Sequence, residues 1–226
     1  MAEKISKREL AAARKARAER LTSEIKSVVK GSGWTGKLAY QLAYRNNNGM
    51  FAAVEYSQRD PDLNSGLKFQ CRVKPMDIDP LLWQILHIDG NERQPLSFRS
   101  VGAFTATPLQ VECVEVLESD LSVAAAGFRE FLDRCSVFNP SALPDFADRV
   151  AAIRKQDRRA LFELHVVSLI LEGRFPEAGV LAEEGLVERW SSKHAYYAED
   201  AAKGNYKTRP FAEMALRWIG ETTAKR

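Results

Sequence analysis

A chain of 226 residues with 45% hydrophobic content carries enough apolar side chains for one substantial core or two small ones, which excludes disorder along its whole length. No window reaches the roughly 18 uninterrupted apolar residues of a membrane span, and the first thirty positions lack the apolar centre of a secretory signal, so a cytoplasmic protein without membrane association is expected. The formal charge of +3 is uneven: nine Lys and Arg against four Glu give residues 1–30 a net +5 and leave the remainder at −2, which argues against a basic nucleic-acid-binding face spread over the body.

Residues 3–30 contain no Gly or Pro and are dominated by Ala, Lys, Arg, Glu and Leu, which predicts a helix. Leu21, Ile25, Val28 and Val29 recur at helical spacing, so the second half should pack on the body while the first half projects; Gly31 and Gly33 then end the helix. From Trp34 the period shortens. Leu38, Tyr40, Leu42 and Tyr44 alternate with less apolar neighbours, Asn46-Asn47-Asn48-Gly49 supplies a hairpin turn, and an apolar run from Met50 to Tyr56 forms the return strand. After loop chemistry over 59–66, Leu67, Phe69, Cys71 and Val73 predict a third strand. Asp79-Pro80 reads as an N-cap and first helical residue, opening a short helix through Leu81, Leu82, Ile85 and Leu86. Leu96–Thr105 and Leu109–Leu117 complete a set of five strands.

Beyond Ser119-Asp120 every strong pattern is helical, near 120–135, 144–156, 158–172, 176–190, 193–203 and 209–224. Strands first and helices afterwards predict an α+β protein with a mostly antiparallel sheet. Three stretches follow: a basic N-terminal helix over 1–30, a β-rich half over 31–119 and a helical half over 120–226. No Gly/Ser/Pro-rich linker separates the halves, so they are expected to pack as one unit.

Residues with chemical potential have simpler structural roles. Gly31-Ser32-Gly33-Trp34-Thr35-Gly36-Lys37-Leu38 matches the glycine and lysine spacing of a phosphate-binding loop, but Leu38 stands where a magnesium-binding hydroxyl belongs. The glycines also follow a charged helix instead of a buried strand, so a helix-to-strand turn is the better reading, with a nucleotide-binding enzyme using Gly31–Lys37 as its alternative. Asp60 with Asp62, and Asp77 with Asp79, resemble paired carboxylates, yet both lie beside Pro in turn-like sequence where Asp caps and turns the chain. His87-Ile88-Asp89 could orient an imidazole, but no activated Ser or Cys pairs with it. His165 lies in a helix apolar nearly all round and reads as a hydrogen-bonded core histidine, whereas His194 reads as exposed. Cys71, Cys113 and Cys135 lack C-x-x-C spacing and read as small buried hydrophobes, so no disulfide, metal or cofactor is assigned. Lys4, Lys7, Arg8, Arg14, Lys15 and Arg17 could touch nucleic-acid phosphates, but interrupting Glu residues and the lack of interleaved aromatics favour a solvated helix face. A further reading of this helix is an arm that docks on an acidic partner.

The succession of helix, Gly33-Trp34 and the hairpin through Leu38-Ala39-Tyr40 and Phe51-Ala52-Ala53-Val54-Glu55-Tyr56-Ser57-Gln58 resembles, over about residues 20–120, bacterial domain-of-unknown-function families whose members often lie beside toxins as immunity proteins. Leu171-Glu172-Gly173-Arg174-Phe175-Pro176-Glu177-Ala178, followed by Leu181-Ala182-Glu183-Glu184-Gly185-Leu186, is similar to one helix pair of a tetratricopeptide-type repeat. A single pair makes no solenoid and reads as a local packing unit.

The expectation is therefore a non-catalytic, protein-binding bacterial protein of the immunity or antitoxin kind, whose partner is a protein such as a toxin. Candidate anchors for that surface are Tyr40, Tyr44, Tyr56 and Arg59 on the hairpin, or Trp190, Tyr196 and Tyr197 near the C-terminal helices.

Overall fold

A computed structural model describes residues 6–37, 39, 41–58, 66–102, 104–117, 120–190, 193–200 and 205–225. Its elements divide between two compact units, each assembled from two separate stretches of chain: residues 1–73 with 110–139, and residues 74–109 with 140–226.

The first unit opens with helix α1, Lys7–Lys30, which starts at a capping box: the Ser6 hydroxyl accepts from the Glu9 amide and the Glu9 carboxylate from the Ser6 amide. Only the second half buries side chains, at Leu21, Ile25, Val28 and Val29, as the helical spacing predicts. The strands β1 (Thr35–Lys37), β2 (Leu42–Asn47), β3 (Met50–Gln58), β4 (Gly66–Pro75) and β5 (Leu109–Leu117) form an antiparallel sheet in that order, giving the α+β architecture. β2 and β3 join through Asn48 and Gly49, both at positive φ, the two-residue turn whose twist matches the strands it joins; Asn47 pairs with Met50.

Helix α4, Leu121–Cys135, packs with α1 and β3. Its Phe128, fully buried, meets Tyr56 edge-on at 5.7 Å between ring centres and Phe69 at 5.2 Å, and Phe131 lies 5.7 Å from Phe69. The end of α4 is tied to the sheet by polar bonds. The Ser136 hydroxyl accepts from Trp34 Nε1 and Arg45 Nη1, both at 3.2 Å, while Asn47 Nδ2 donates to the Ser136 and Phe138 carbonyls at 2.6 Å.

The second unit holds α2 (Ile78–Leu86), the single turn α3 (Phe98–Val101), α5 (Phe146–Arg154), α6 (Phe162–Leu171), α7 (Phe175–Val187), the hairpin β6 (His194–Asp200) with β7 (Asn205–Pro210), and α8 (Phe211–Thr223). Two expectations are corrected here. Leu96–Thr105 is not a strand: the amides of Phe98, Arg99, Ser100 and Gly102 bond to carbonyls three or four residues back, forming turns around α3. The helix expected over 193–203 is instead strand β6, with His194 paired to Pro210 and Tyr197 to Lys207, so partner strand β7 overrides a stretch read as helical. The sheet of the first unit reaches five strands through β1, not through 96–105.

Phe162 lies at the centre of the helical packing, edge-on to Phe211 at 5.8 Å and to Trp190 at 5.7 Å. Gly185 on α7 faces it so closely that an added Cβ would overlap the ring. We expect Gly185→Ala to lose about 1–3 kcal/mol in urea denaturation although alanine is the better helix former, since overpacking here outweighs propensity.

Candidate functional site

Two polar assemblies stand out in the second unit, and they differ in kind. In the first, Lys74 and Asp79 are both fully buried. Lys74 Nζ donates to Asp79 Oδ1 at 2.8 Å, to the Arg99 carbonyl at 2.7 Å and to the Ala106 carbonyl at 2.6 Å, which uses all three ammonium protons. Asp79 Oδ1 also accepts from the Ala106 amide at 2.9 Å, and Arg99 Nη1 reaches Oδ2 at 3.4 Å and the Met76 carbonyl at 2.7 Å. Burial pulls the Lys74 ammonium down to about 8 against the opposing attraction of Asp79, which leaves it charged at neutral pH. The capping role expected of Asp79 is thereby corrected. The N-cap of α2 is Asp77, whose side chain makes no capping bond, and Asp79 lies two residues on, within the first turn, as the counter-ion of a buried lysine. This assembly ties the 99–106 segment to Lys74 and to the first turn of α2.

The second assembly opens to the surface. Helices α5, α6 and α7 enclose a groove of about 430 Å³ whose walls are Ala151, Leu169, Pro176, Val180 and Leu181. α6 and α7 are the pair whose sequence resembles a tetratricopeptide-type unit; the turn between them needs Gly173 at φ +75°. On the rim, Arg174 grips Glu177 through two bonds, Nε to Oε1 at 2.8 Å and Nη2 to Oε2 at 2.5 Å, and reaches Asp148 at 2.7 Å and Glu172 at 3.3 Å. Glu184 lies further along the same rim, 3.2 Å from Arg158.

His165 completes the wall. It is half-buried, not wholly in the core, and its Nδ1 lies 3.0 Å from Arg154 Nη1. A guanidinium can only donate, so Nδ1 accepts and the ring proton sits on Nε2. Arg154 is itself fixed by bonds to the Ala160 and Arg158 carbonyls and lies over the rings of Trp190 at 5.0 Å and Phe162 at 5.6 Å. Burial first, and then the adjacent Arg154 charge, lower the His165 pKa to about 4. Between about pH 6.5 and 4 the unfolded chain takes up a proton that the folded one refuses, so stability falls as pH drops through that window. After discounting for solvent screening of a partly open ring, the loss is roughly 1–3 kcal/mol, and His165→Gln should flatten that part of a urea-midpoint profile.

The residues singled out from sequence are spread among several sites. Tyr44 is half-buried on β2 opposite Ala53, and Tyr56 is buried against Phe128, so its ring serves the core. Trp190 is half-buried beneath Arg154 and Arg158, behind the groove and not in it. Tyr196 and Tyr197 lie on β6, their side chains outside the described set; Tyr40, Arg59, Lys4, Asp60 and Asp62 are outside the described residues altogether. Lys7, Arg8 and Lys15 are exposed along α1, with Arg14 and Arg17 half-buried. His87 ends α2 in the left-handed region and Asp89 is exposed beyond it.

The glycine stretch is the turn from α1 to β1. The amides of Gly31 and Ser32 bond to the Val28 and Val29 carbonyls and the Trp34 amide to the Ser32 hydroxyl, so these donors, which a phosphate cradle would need, are already used. Cys71 and Cys135 are buried as expected, but Cys113 is exposed on β5, which corrects its reading as a core residue.

Sequence reasoning missed the groove. Its signal was present in α7, where Val180 and Val187 sit seven residues apart on one face among glutamates, 61% and 78% exposed. No family model, no curated protein and no solved structure matches the chain. Among the described residues, no helix is long and apolar enough to cross a membrane.

Proposed function

We propose that this protein is a cytoplasmic, non-catalytic binding module that works by covering a partner protein's surface, in the manner of a bacterial immunity or antitoxin protein. One observation carries the reading: an apolar groove between α5, α6 and α7, continued along α7 by the exposed Val180 and Val187 and bordered by charged side chains. An apolar centre with a polar rim is the anatomy of a recognition surface. The polar groups around it are largely engaged with one another: Arg174 with three carboxylates, and His165 Nδ1 with Arg154. That arrangement suits a surface whose shape does the work better than one that moves protons.

The test is protection in cells. Co-expressed with the product of a neighbouring toxin gene, the native chain should restore growth and bind that product in calorimetry. Val180→Asp, at a solvent-exposed position where folding stability should change by less than about 0.5 kcal/mol, should weaken binding at least tenfold and abolish protection. Protection unaffected by Val180→Asp together with Val187→Asp would remove the groove from the mechanism, and an absence of any complex would remove the reading.

A further inference from the structure

Resting on that reading, we infer that the groove takes a basic segment of a partner protein, which seats an apolar side chain between α5, α6 and α7 and sets its Lys and Arg against the acidic rim. The walls provide the apolar half of the argument. Leu169 and Leu181 are nearly buried, and Val180 stands open above them, so an inserted aliphatic or aromatic side chain meets carbon on several sides. The volume, about 430 Å³, lies within the range of clefts that enclose a compact apolar group, roughly 300–1,000 Å³.

Charge specifies the flanks. From Glu172 to Glu188 the chain carries five glutamates, Glu172, Glu177, Glu183, Glu184 and Glu188, against Arg174 alone, and Asp148 faces them from α5. Arg174, paired with Asp148, Glu172 and Glu177, and Arg158, paired with Glu184, neutralise only part of this field: Glu177, Glu184 and Asp148 keep side chains about half exposed, at 57%, 46% and 62%. An acidic segment would be repelled here, and a neutral one would leave the rim unanswered. His165 on the wall adds no repelling cation, since its Nδ1 accepts from Arg154 and burial keeps the ring neutral.

The experiment is fluorescence anisotropy on the full chain with two labelled peptides of about fourteen residues, alike in their leucine pattern and differing only in carrying Lys or Glu at every other position. The lysine probe should bind, and raising salt from about 50 to 200 mM should weaken it several-fold; the glutamate probe should bind at least tenfold more weakly. Glu184→Lys with Glu177→Lys should reduce lysine-probe binding at least tenfold, as should Val180→Ser, whereas Val123→Ser, an exposed valine on α4, should leave it unchanged. Circular dichroism melts confirm that each variant is folded. Equal binding of both probes, or indifference to the charge reversals, overturns the inference. So does concentration-dependent dimerisation that the Val180→Ser change abolishes, since the occupant would then be a second copy. If protection in cells depends on Val180 but not on Glu177 and Glu184, the groove's role stands and this inference alone falls; if it depends on none of them, the groove and this inference fall together, and the proposed function falls only where no complex forms.

Discussion

Replacing Asp79 by alanine is expected to cost about 3–5 kcal/mol, because it leaves the Lys74 ammonium fully buried without its counter-ion. The remaining acceptors, the Arg99 and Ala106 carbonyls, carry only partial charge and cannot replace a carboxylate. Arg99 would also lose the anion that holds its guanidinium near the Trp83 ring, 5.6 Å away, and the Ala106 amide would lose its acceptor. Trp83, whose Nε1 donates to the Phe104 carbonyl at 2.7 Å, therefore reports the change directly, and its fluorescence in urea is the measurement of choice. Removing both ions, as Lys74→Met with Asp79→Leu, should recover much of the loss, since a well-packed apolar pair often matches or exceeds a buried ion pair. The single variant should also gain stability as pH rises above neutrality: a buried lysine deprived of its anion has a folded pKa far below its unfolded value, and the cost of its charge disappears as the chain approaches pH 10. A loss below about 1 kcal/mol for Asp79→Ala would mean that the pair is not a buried charge pair in solution.

Phe128→Ala should produce a loss of similar size, about 3–5 kcal/mol, confined to the first unit. The ring is wholly buried and is the point where α4 meets both β3, through Tyr56, and β4, through Phe69. Truncation opens a cavity between a helix and a sheet, and the sheet cannot follow inward because its register is held by the hairpin turn at Asn48-Gly49. Phe128→Leu, which keeps most of the volume, should cost under about 1.5 kcal/mol. Hydrogen exchange should show faster opening of α4 and β3 in the alanine variant; equal acceleration throughout the chain would argue that the two units unfold together.

Much of this architecture follows from local sequence. Helix formers without Gly or Pro, with four apolar residues at helical spacing, are enough to place α1 and its buried half, and Asn48-Gly49 is enough to place the first hairpin. Helices α4 to α8 likewise declare themselves by periodicity, and α4 also by its cap, where Asp120 accepts from the Ser122 amide. Long-range partners account for the misreadings. The stretch around Phe98 is alternating enough for a strand, but its Arg99 carbonyl is claimed by Lys74, 25 residues earlier, and its backbone turns to meet it. The segment from His194 becomes extended because β7 supplies a ladder that isolated helix propensity cannot compete with.

The candidate site divides the same way. Periodicity alone places α6 and α7 as helices, since that depends on neighbours within a few residues, while their pairing comes from the resemblance to a tetratricopeptide-type unit. That α5 closes the third wall, that Arg154 turns His165 into a neutral donor, and that Asp79 is a counter-ion instead of a cap are decisions of the tertiary structure. Each requires side chains distant in sequence to meet at about 3 Å, where desolvation and pairing set charge and exposure, and no local pattern encodes that meeting.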